Sequence, residues 1–136
     1  MKAQNIVFVE NPEDVDWAAL KRALTMDRFD NGRSADELRE SFINSPHICL
    51  ACARGKLIGT GRLLSDGVGN AYLIDVWVLS KYRRLGIGGK IVSYLLAAVP
   101  GQHVYLQADD PRLYARLGFR PQPEGMSLIA GLPTTT

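Results

Sequence analysis

Between Val76 and Lys90 the chain reads Val-Trp-Val-Leu-Ser-Lys-Tyr-Arg-Arg-Leu-Gly-Ile-Gly-Gly-Lys, an apolar run that passes through a basic turn toward helix-forming residues. Such a segment is built to bind anions. Gly86, Gly88 and Gly89 carry no Cβ, so backbone amides of the turn can approach a charged oxygen closely. The first N–H groups of a helix lack internal partners, and the aligned peptide dipoles place about half a positive charge beside them. Lys81, Arg83, Arg84 and Lys90 add four cations within ten residues, enough for a diphosphate with a further ribose phosphate. The competing reading is structural: glycines that serve only a tight strand-to-helix turn.

Two common phosphate loops are excluded by spacing. A Walker loop needs G-x-x-x-x-G-K-[ST], and Gly86 to Lys90 gives neither the interval nor a hydroxyl after the lysine, since Ile91 follows. A dinucleotide fingerprint needs G-x-G-x-x-G in the first βαβ unit and an acid about 20 positions on, and this chain supplies neither. Cys49 and Cys52 have the C-x-x-C spacing of a redox motif or half a zinc site. They lie in the apolar run Ile48 to Ala53, however, and on a strand residues three apart point to opposite faces. No second cysteine pair exists and His47 and His103 stand at no ligand spacing, so two buried, reduced thiols and no metal are expected.

The elements that must position the turn follow from periodicity and punctuation. Ile6 to Val9 is a short β-type run stopped by Asn11-Pro12, and Pro12, Glu13 and Asp14 predict a helix entry, with Val15, Ala18, Ala19, Arg22 and Ala23 at helical spacing to about Asp27. Ser34 and Glu37 form a capping-box pattern for a second helix that ends before Pro46. His47 to Ala53 and Leu57 to Leu64 read as a hairpin, and Ala71 to Leu79 as a third long strand. After the glycine cluster come a helix from Gly88 to Val99, a strand at His103 to Gln107 and a short helix at Pro111 to Leu117 that Gly118 stops. Phe119-Arg120 and Met126 to Ile129 read as two last strands. This order predicts an α/β fold with a mixed central sheet of about seven strands and helices on both faces.

At 136 residues the chain fits one domain, 1–136, and its 46% apolar and 22% charged residues are those of an ordinary folded protein. Sixteen basic and fourteen acidic residues leave a net charge of +2, interspersed, so no broad surface for nucleic acid or an anionic membrane is expected. The longest nearly apolar run, Ile91 to Val99, is nine residues, against the roughly 20 that span a bilayer. Met1 to Glu10 offers no apolar signal core, so the default location is cytoplasmic.

Two motifs now make the reading specific. Arg83-x-x-Gly86-x-Gly88, after a strand ending in Val76-Trp77-Val78, resembles the acyl-CoA diphosphate loop [RQ]-x-x-G-x-[GA] of the GNAT superfamily of N-acyltransferases. Leu113-Tyr114-Ala115-Arg116-Leu117-Gly118-Phe119 is similar to that family's [FL]-Y-x-x-x-G-F element, and Ser65-Asp66-Gly67 with Leu73 to Val78 is most like its small bacterial and plastid-type branch. The resemblance covers the whole element order. It implies a sheet splayed between its fourth and fifth strands, with the pantetheine arm of acetyl-CoA lying in the gap beside Val76, Trp77 and Val78. It also implies a diphosphate on Arg83, Arg84, Leu85, Gly86, Ile87, Gly88 and Gly89. A backbone N–H near Val78 would polarise the thioester carbonyl, a device worth ~3–4 kcal/mol per donor in other enzymes.

The activity implied is N-acetyl transfer to a primary amine of a small molecule or peptide by direct attack, with no protein nucleophile. Tyr114 is the expected general acid to the CoA thiolate, because a phenol near pKa ~10 stays protonated at neutral pH. The base is less defined: histone-type members use a glutamate at the position of Tyr72, and Asp75, the only acid in the strand, faces away from Tyr72, Ile74, Val76 and Val78 by simple alternation unless a bulge turns it. A water relay is the alternative. Trp17, Met26, Phe29, Asp30, Arg33 and Tyr72 are candidates for the acceptor wall, and Asp27, Asp30 and Asp36 for attraction of a cationic amine. Two other classes stay open, a catalytically silent acyl-CoA-binding sensor or partner subunit and a nucleic-acid-binding domain using Lys81 to Lys90. The family often dimerises, so a homodimer belongs among the implied arrangements.

Overall fold

Strand β1 spans Ile6–Val9, helices α1 and α2 Trp17–Met26 and Ala35–Ile43, and strands β2, β3 and β4 His47–Ala53, Lys56–Ser65 and Asn70–Val78. A 3-10 turn at Ser80–Tyr82 leads into α3, Ile87–Leu96, followed by β5, His103–Leu106, and α4, Pro111–Arg116. This is a computed structural model, and it describes residues 5–132. Asp16 caps α1 by accepting from the Ala19 N–H, so the expected entry at Pro12 to Asp14 is instead a turn closed by Val15 N–H on Pro12 O. Both halves of the Ser34/Glu37 capping box form at α2.

The strands lie in the order β1-β2-β3-β4-β5, antiparallel except for the parallel pair β4-β5. Helix α3 packs on one face through Ile91, Val92 and Leu95 against Cys49, Ala51, Leu63 and Leu73. Helices α1 and α2 cover the other through Leu20, Leu24, Leu38 and Phe42, against Leu50 and Trp77. The approach of α3 depends on Gly61, where a Cβ would stand 2.6 Å from Ile91 Cγ2.

A bulge in β4 decides which side chains face where. Trp77 pairs with Thr60 and Ile74 with Arg62, leaving Asp75 and Val76 opposite Gly61 alone, and Asp75 takes φ +57°. The extra residue breaks the expected alternation: Val76 and Val78 join the α3 face, while Tyr72 and Ile74 lie on the other with Arg62 and Leu64. The expected seven strands are five among the described residues. Phe119-Arg120 and Met126 to Ile129 form no strand; Pro121 and Pro123 carry no N–H for a ladder, and Met126, Leu128 and Ile129 are exposed. Cys49 is fully buried, but Cys52 is only partly so, which corrects the expectation for the second thiol. No helix among the described residues is long and apolar enough to cross a membrane.

Candidate functional site

Strands β4 and β5 pair over Asn70–Leu73 and His103–Leu106, so among the described residues the C-terminal half of β4 has no strand neighbour on its β5 side. Beyond the bulge, Leu79 N–H bonds Ile58 O at 2.7 Å. In an antiparallel ladder hydrogen-bonded and non-bonded pairs alternate, so the Val78 N–H and C=O, paired in register with Gly59, point away from β3 into the gap. The Val78 carbonyl is taken there by Arg83 Nε at 2.9 Å. Its N–H is left directed at the opening. Trp77 differs from its neighbours: its side chain is buried under α1, so it braces the strand from behind.

The turn after β4 ends at the head of α3. Gly86 is the N-cap residue, left-handed at φ +81°, and no side chain among the described residues caps the helix, whose first internal bond runs from Lys90 N–H to Gly86 O. The N–H groups of Ile87, Gly88 and Gly89 therefore meet an external acceptor or water. Arg84 is also left-handed, at φ +65°, which turns successive amides toward one side. Lys81, Arg84 and Lys90 are exposed and make no ion pair among the described residues, while the Ile87 side chain is core. Leu85 packs against the α3 side of the core. An open groove of about 530 Å³ runs past Gly86, Gly89 and Lys90 to Leu117.

Helix α4 is set against this loop by Leu113, whose Cδ2 would lie 3.4 Å from a Cβ at Gly88. Tyr114, the next residue, is half-buried, its ring edge-on to Phe119 at 5.8 Å between centroids. Burial, and then the charge of Asp109, push its phenol above the ordinary value, so it is protonated at neutral pH. Burial pushes the Cys49 thiol up to about 12 and raises Cys52 as well, so neither is a ready nucleophile.

Asp27, at the end of α1, ties the acceptor side to the loop. Its carboxylate accepts from Trp77 Nε1 at 2.8 Å, Arg83 Nη2 at 3.1 Å and the Ser80 hydroxyl. Burial alone would raise this carboxyl, but bonds from Ser80 and Trp77 and the Arg83 charge hold it below its ordinary value. Arg83 thus spends its guanidinium on Val78 O and Asp27, and Asp27 is committed within the protein. Asp30 is likewise paired with Lys21, whose hydrogen bond, with that of the Gly32 N–H, lowers its carboxyl.

Asp75, the sequence candidate for a base, is turned by the bulge into a clamp. Arg33 Nη1 and Nη2 reach its two oxygens at 2.9 and 3.1 Å, and Arg62 Nε reaches Oδ2 at 2.6 Å. Both oxygens are occupied by guanidinium donors. Phe29 packs half-buried against the α1/α2 core, Trp17 lies 5.6 Å from Phe42 between ring centroids, Met26 is exposed, and Tyr72 is exposed opposite Tyr105. Sequence reasoning missed the role of Arg62 and the hub at Asp27; neither carries a local signature, because their partners lie 13 to 56 residues away. No group of three or more His, Cys, Asp or Glu side chains that could hold a metal occurs among the described residues.

A family model described as the Acetyltransferase (GNAT) family matches residues 16–119. Among solved structures, a protein from Deinococcus radiodurans R1 proposed to be an acetyltransferase is 26% identical, with a TM-score of 0.76 over 98% of this chain and 100% of that one. A GNAT family acetyltransferase of Streptococcus pneumoniae TIGR4 is 23% identical over 93% and 99%, with a TM-score of 0.75. Glucosamine-6-phosphate N-acetyltransferase of Arabidopsis thaliana is 19% identical over 92% and 98%, at 0.71, a likeness of fold alone. No curated protein matches in sequence. With the matched span running from the cap of α1 through both motifs, the chain belongs to the GNAT family of acetyltransferases.

Proposed function

We propose that the chain transfers an acetyl group from acetyl-CoA to a primary amine of a small molecule or peptide. The observation that carries this is the pair of backbone donor sets at one end of β4, the uncapped head of α3 and, by ladder alternation, the Val78 N–H facing the strand gap. One suits a diphosphate, the other a thioester carbonyl. Acetyl-CoA supplies the activated acyl carbon. Gly86 to Gly89, with Arg84 and Lys90 nearby, hold the diphosphate, Arg83 fixes Val78, and the Val78 N–H polarises the carbonyl.

The amine lone pair forms the new C–N bond as the C–S bond breaks, and the sulfur leaves with the proton of the Tyr114 phenol. The proton given up by the amine nitrogen passes through water, which returns one to the Tyr114 phenolate; Asp75 is engaged by Arg33 and Arg62. Asp75 is assigned a positioning role. Thiol release from acetyl-CoA with a panel of amines tests this reading: amine-dependent release supports it, whereas tight binding of acetyl-CoA without release on any amine favours the silent sensor.

A further inference from the structure

The face of β3, β4 and β5 beside the Asp75 bulge is open. Register places Arg62 and Leu64 of β3, Tyr72 and Ile74 of β4, and His103 and Tyr105 of β5 on this one side. Leu64, Tyr72 and Tyr105 are 38, 37 and 42% exposed, and no helix among the described residues covers them. His103 stacks on Tyr105 at 4.2 Å between centroids, with the Tyr105 hydroxyl 3.2 Å from His103 Nδ1. The result is a flat, partly aromatic floor that adjoins the strand gap and ends at a guanidinium.

The charges at that end do not balance. Asp75 meets two arginines, Arg33 and Arg62, all three side chains at most 17% exposed. Arg33 spends its Nε on Asn31 and both terminal nitrogens on Asp75. Arg62 spends Nε on Asp75 and reaches the Ser45 hydroxyl from Nη1 at 3.3 Å, but its Nη2 has no partner among the described residues and is not buried. Two nearby acids are engaged elsewhere, Asp27 by Trp77, Ser80 and Arg83, and Asp30 by Lys21. Arg28, exposed in the same α1–α2 connection, has no ion pair among the described residues. The Arg62 guanidinium lies over the Phe42 ring, 5.9 Å from its centroid, and a partly desolvated guanidinium with a terminal nitrogen to spare is a site for a carboxylate or phosphate oxygen.

We infer that the acceptor is an amine that also carries an anionic group, anchored on Arg62 while its body lies on the Tyr72/Tyr105 floor. This rests on the acetyltransferase reading and names the substrate class for it. The opposite expectation, attraction of a cationic amine by the aspartates, has no free carboxylate behind it at Asp27 or Asp30; Asp36, exposed on α2 with no ion pair among the described residues, is the one that could serve it, and the spermidine arm of the test reads it.

The test compares matched amines at saturating acetyl-CoA by thiol release: glucosamine 6-phosphate against glucosamine, tyrosine against tyramine, and spermidine as a polycation. The acid-bearing member of at least one pair should exceed its neutral partner in kcat/KM by about tenfold or more, the share of one charge-assisted hydrogen bond. The gap should narrow as salt rises from about 50 to 500 mM, and spermidine should be the poorest. R62Q should shrink the ratio of paired substrates and R62K should restore part of it; because the ratio is taken within each variant, a general loss of activity or stability cancels. Neutral amines or spermidine used as well as the acids, no release with any acid-bearing amine, or a preference that survives R62Q overturns the inference. Calorimetric titration with acetyl-CoA separates the two failures: heat without acid preference removes only this inference, and no heat removes the transferase reading beneath it.

Discussion

Replacing Asp27 with asparagine should loosen the join between α1 and the acyl-CoA loop, and the size of the effect can be worked from its bonds. An amide has one acceptor oxygen where the carboxylate has two. Its best rotation keeps that oxygen on Trp77 Nε1 and turns the NH2 to the Ser80 hydroxyl, which can accept. Arg83 Nη2, now 3.1 Å from the carboxylate, loses its counter-charge. Arg83 is 52% exposed, so screening limits that loss to about 0.5–1 kcal/mol. Trading charged for neutral bonds at Trp77 and Ser80 costs about a further 1 kcal/mol. The sum, about 1.5–2 kcal/mol, lowers Tm by roughly 5–8 °C in a chain of this size.

The same change frees Arg83 from one of the two contacts that set it on Val78 O, so KM for acetyl-CoA should rise several-fold while kcat changes less. Because the Asp27 carboxyl sits below its ordinary value in the folded chain, its contribution is present above that value and lost as pH falls through the lowered one. Thermal melts of D27N and the parent should therefore converge on the acid side of the ordinary value of ~3.9. A Tm within about 2 °C of the parent, together with an unchanged KM, would refute the bridging role.

Y114F should lower kcat about tenfold or more with little change in acetyl-CoA affinity. Since burial raises the Tyr114 phenol, the parent's alkaline loss of activity should lie above pH ~10, and the part due to this group should be missing in Y114F; an unaltered kcat and profile would remove Tyr114 from the chemistry. G61A drives a methyl to 2.6 Å from Ile91 Cγ2 and should cost about 1–3 kcal/mol in urea melts; a neutral effect would mean that α3 is not seated as described. At pH 8 iodoacetamide should spare Cys49 and modify Cys52 slowly, without abolishing thiol release; rapid loss of activity would return a cysteine to the mechanism.

Where function depends on adjacent residues, the chain declared it. The Gly86 turn, the Ser34/Glu37 box and the Tyr114 element each sit within seven consecutive positions, and local geometry follows from them. Bulges and distant ion pairs have no such signature. Nothing near Asp75 announces that Gly61 opposes two residues of β4, although that one insertion sends Asp75 to Arg33 and Arg62 and puts Val78 on the α3 side. Phe119-Arg120 and Met126 to Ile129 resemble strands as short apolar runs, but Pro121 and Pro123 withhold the donors that a ladder needs. Arg83 matched its motif, yet its partner Asp27, 56 residues earlier, becomes visible only in the fold.

Calorimetric titration of the purified chain with acetyl-CoA tests the central claim most directly, with G86V as the control. A Cβ at position 86 is strained at φ +81° but meets no atom within 4 Å, so the fold should persist while the amides at the head of α3 are displaced. The account predicts one equivalent bound by the parent, and affinity reduced about tenfold or more in G86V, as loss of a charge-assisted contact would produce. Absence of heat from the parent at about millimolar ligand, the weak end of specific binding, or equal affinity in a folded G86V, would contradict it.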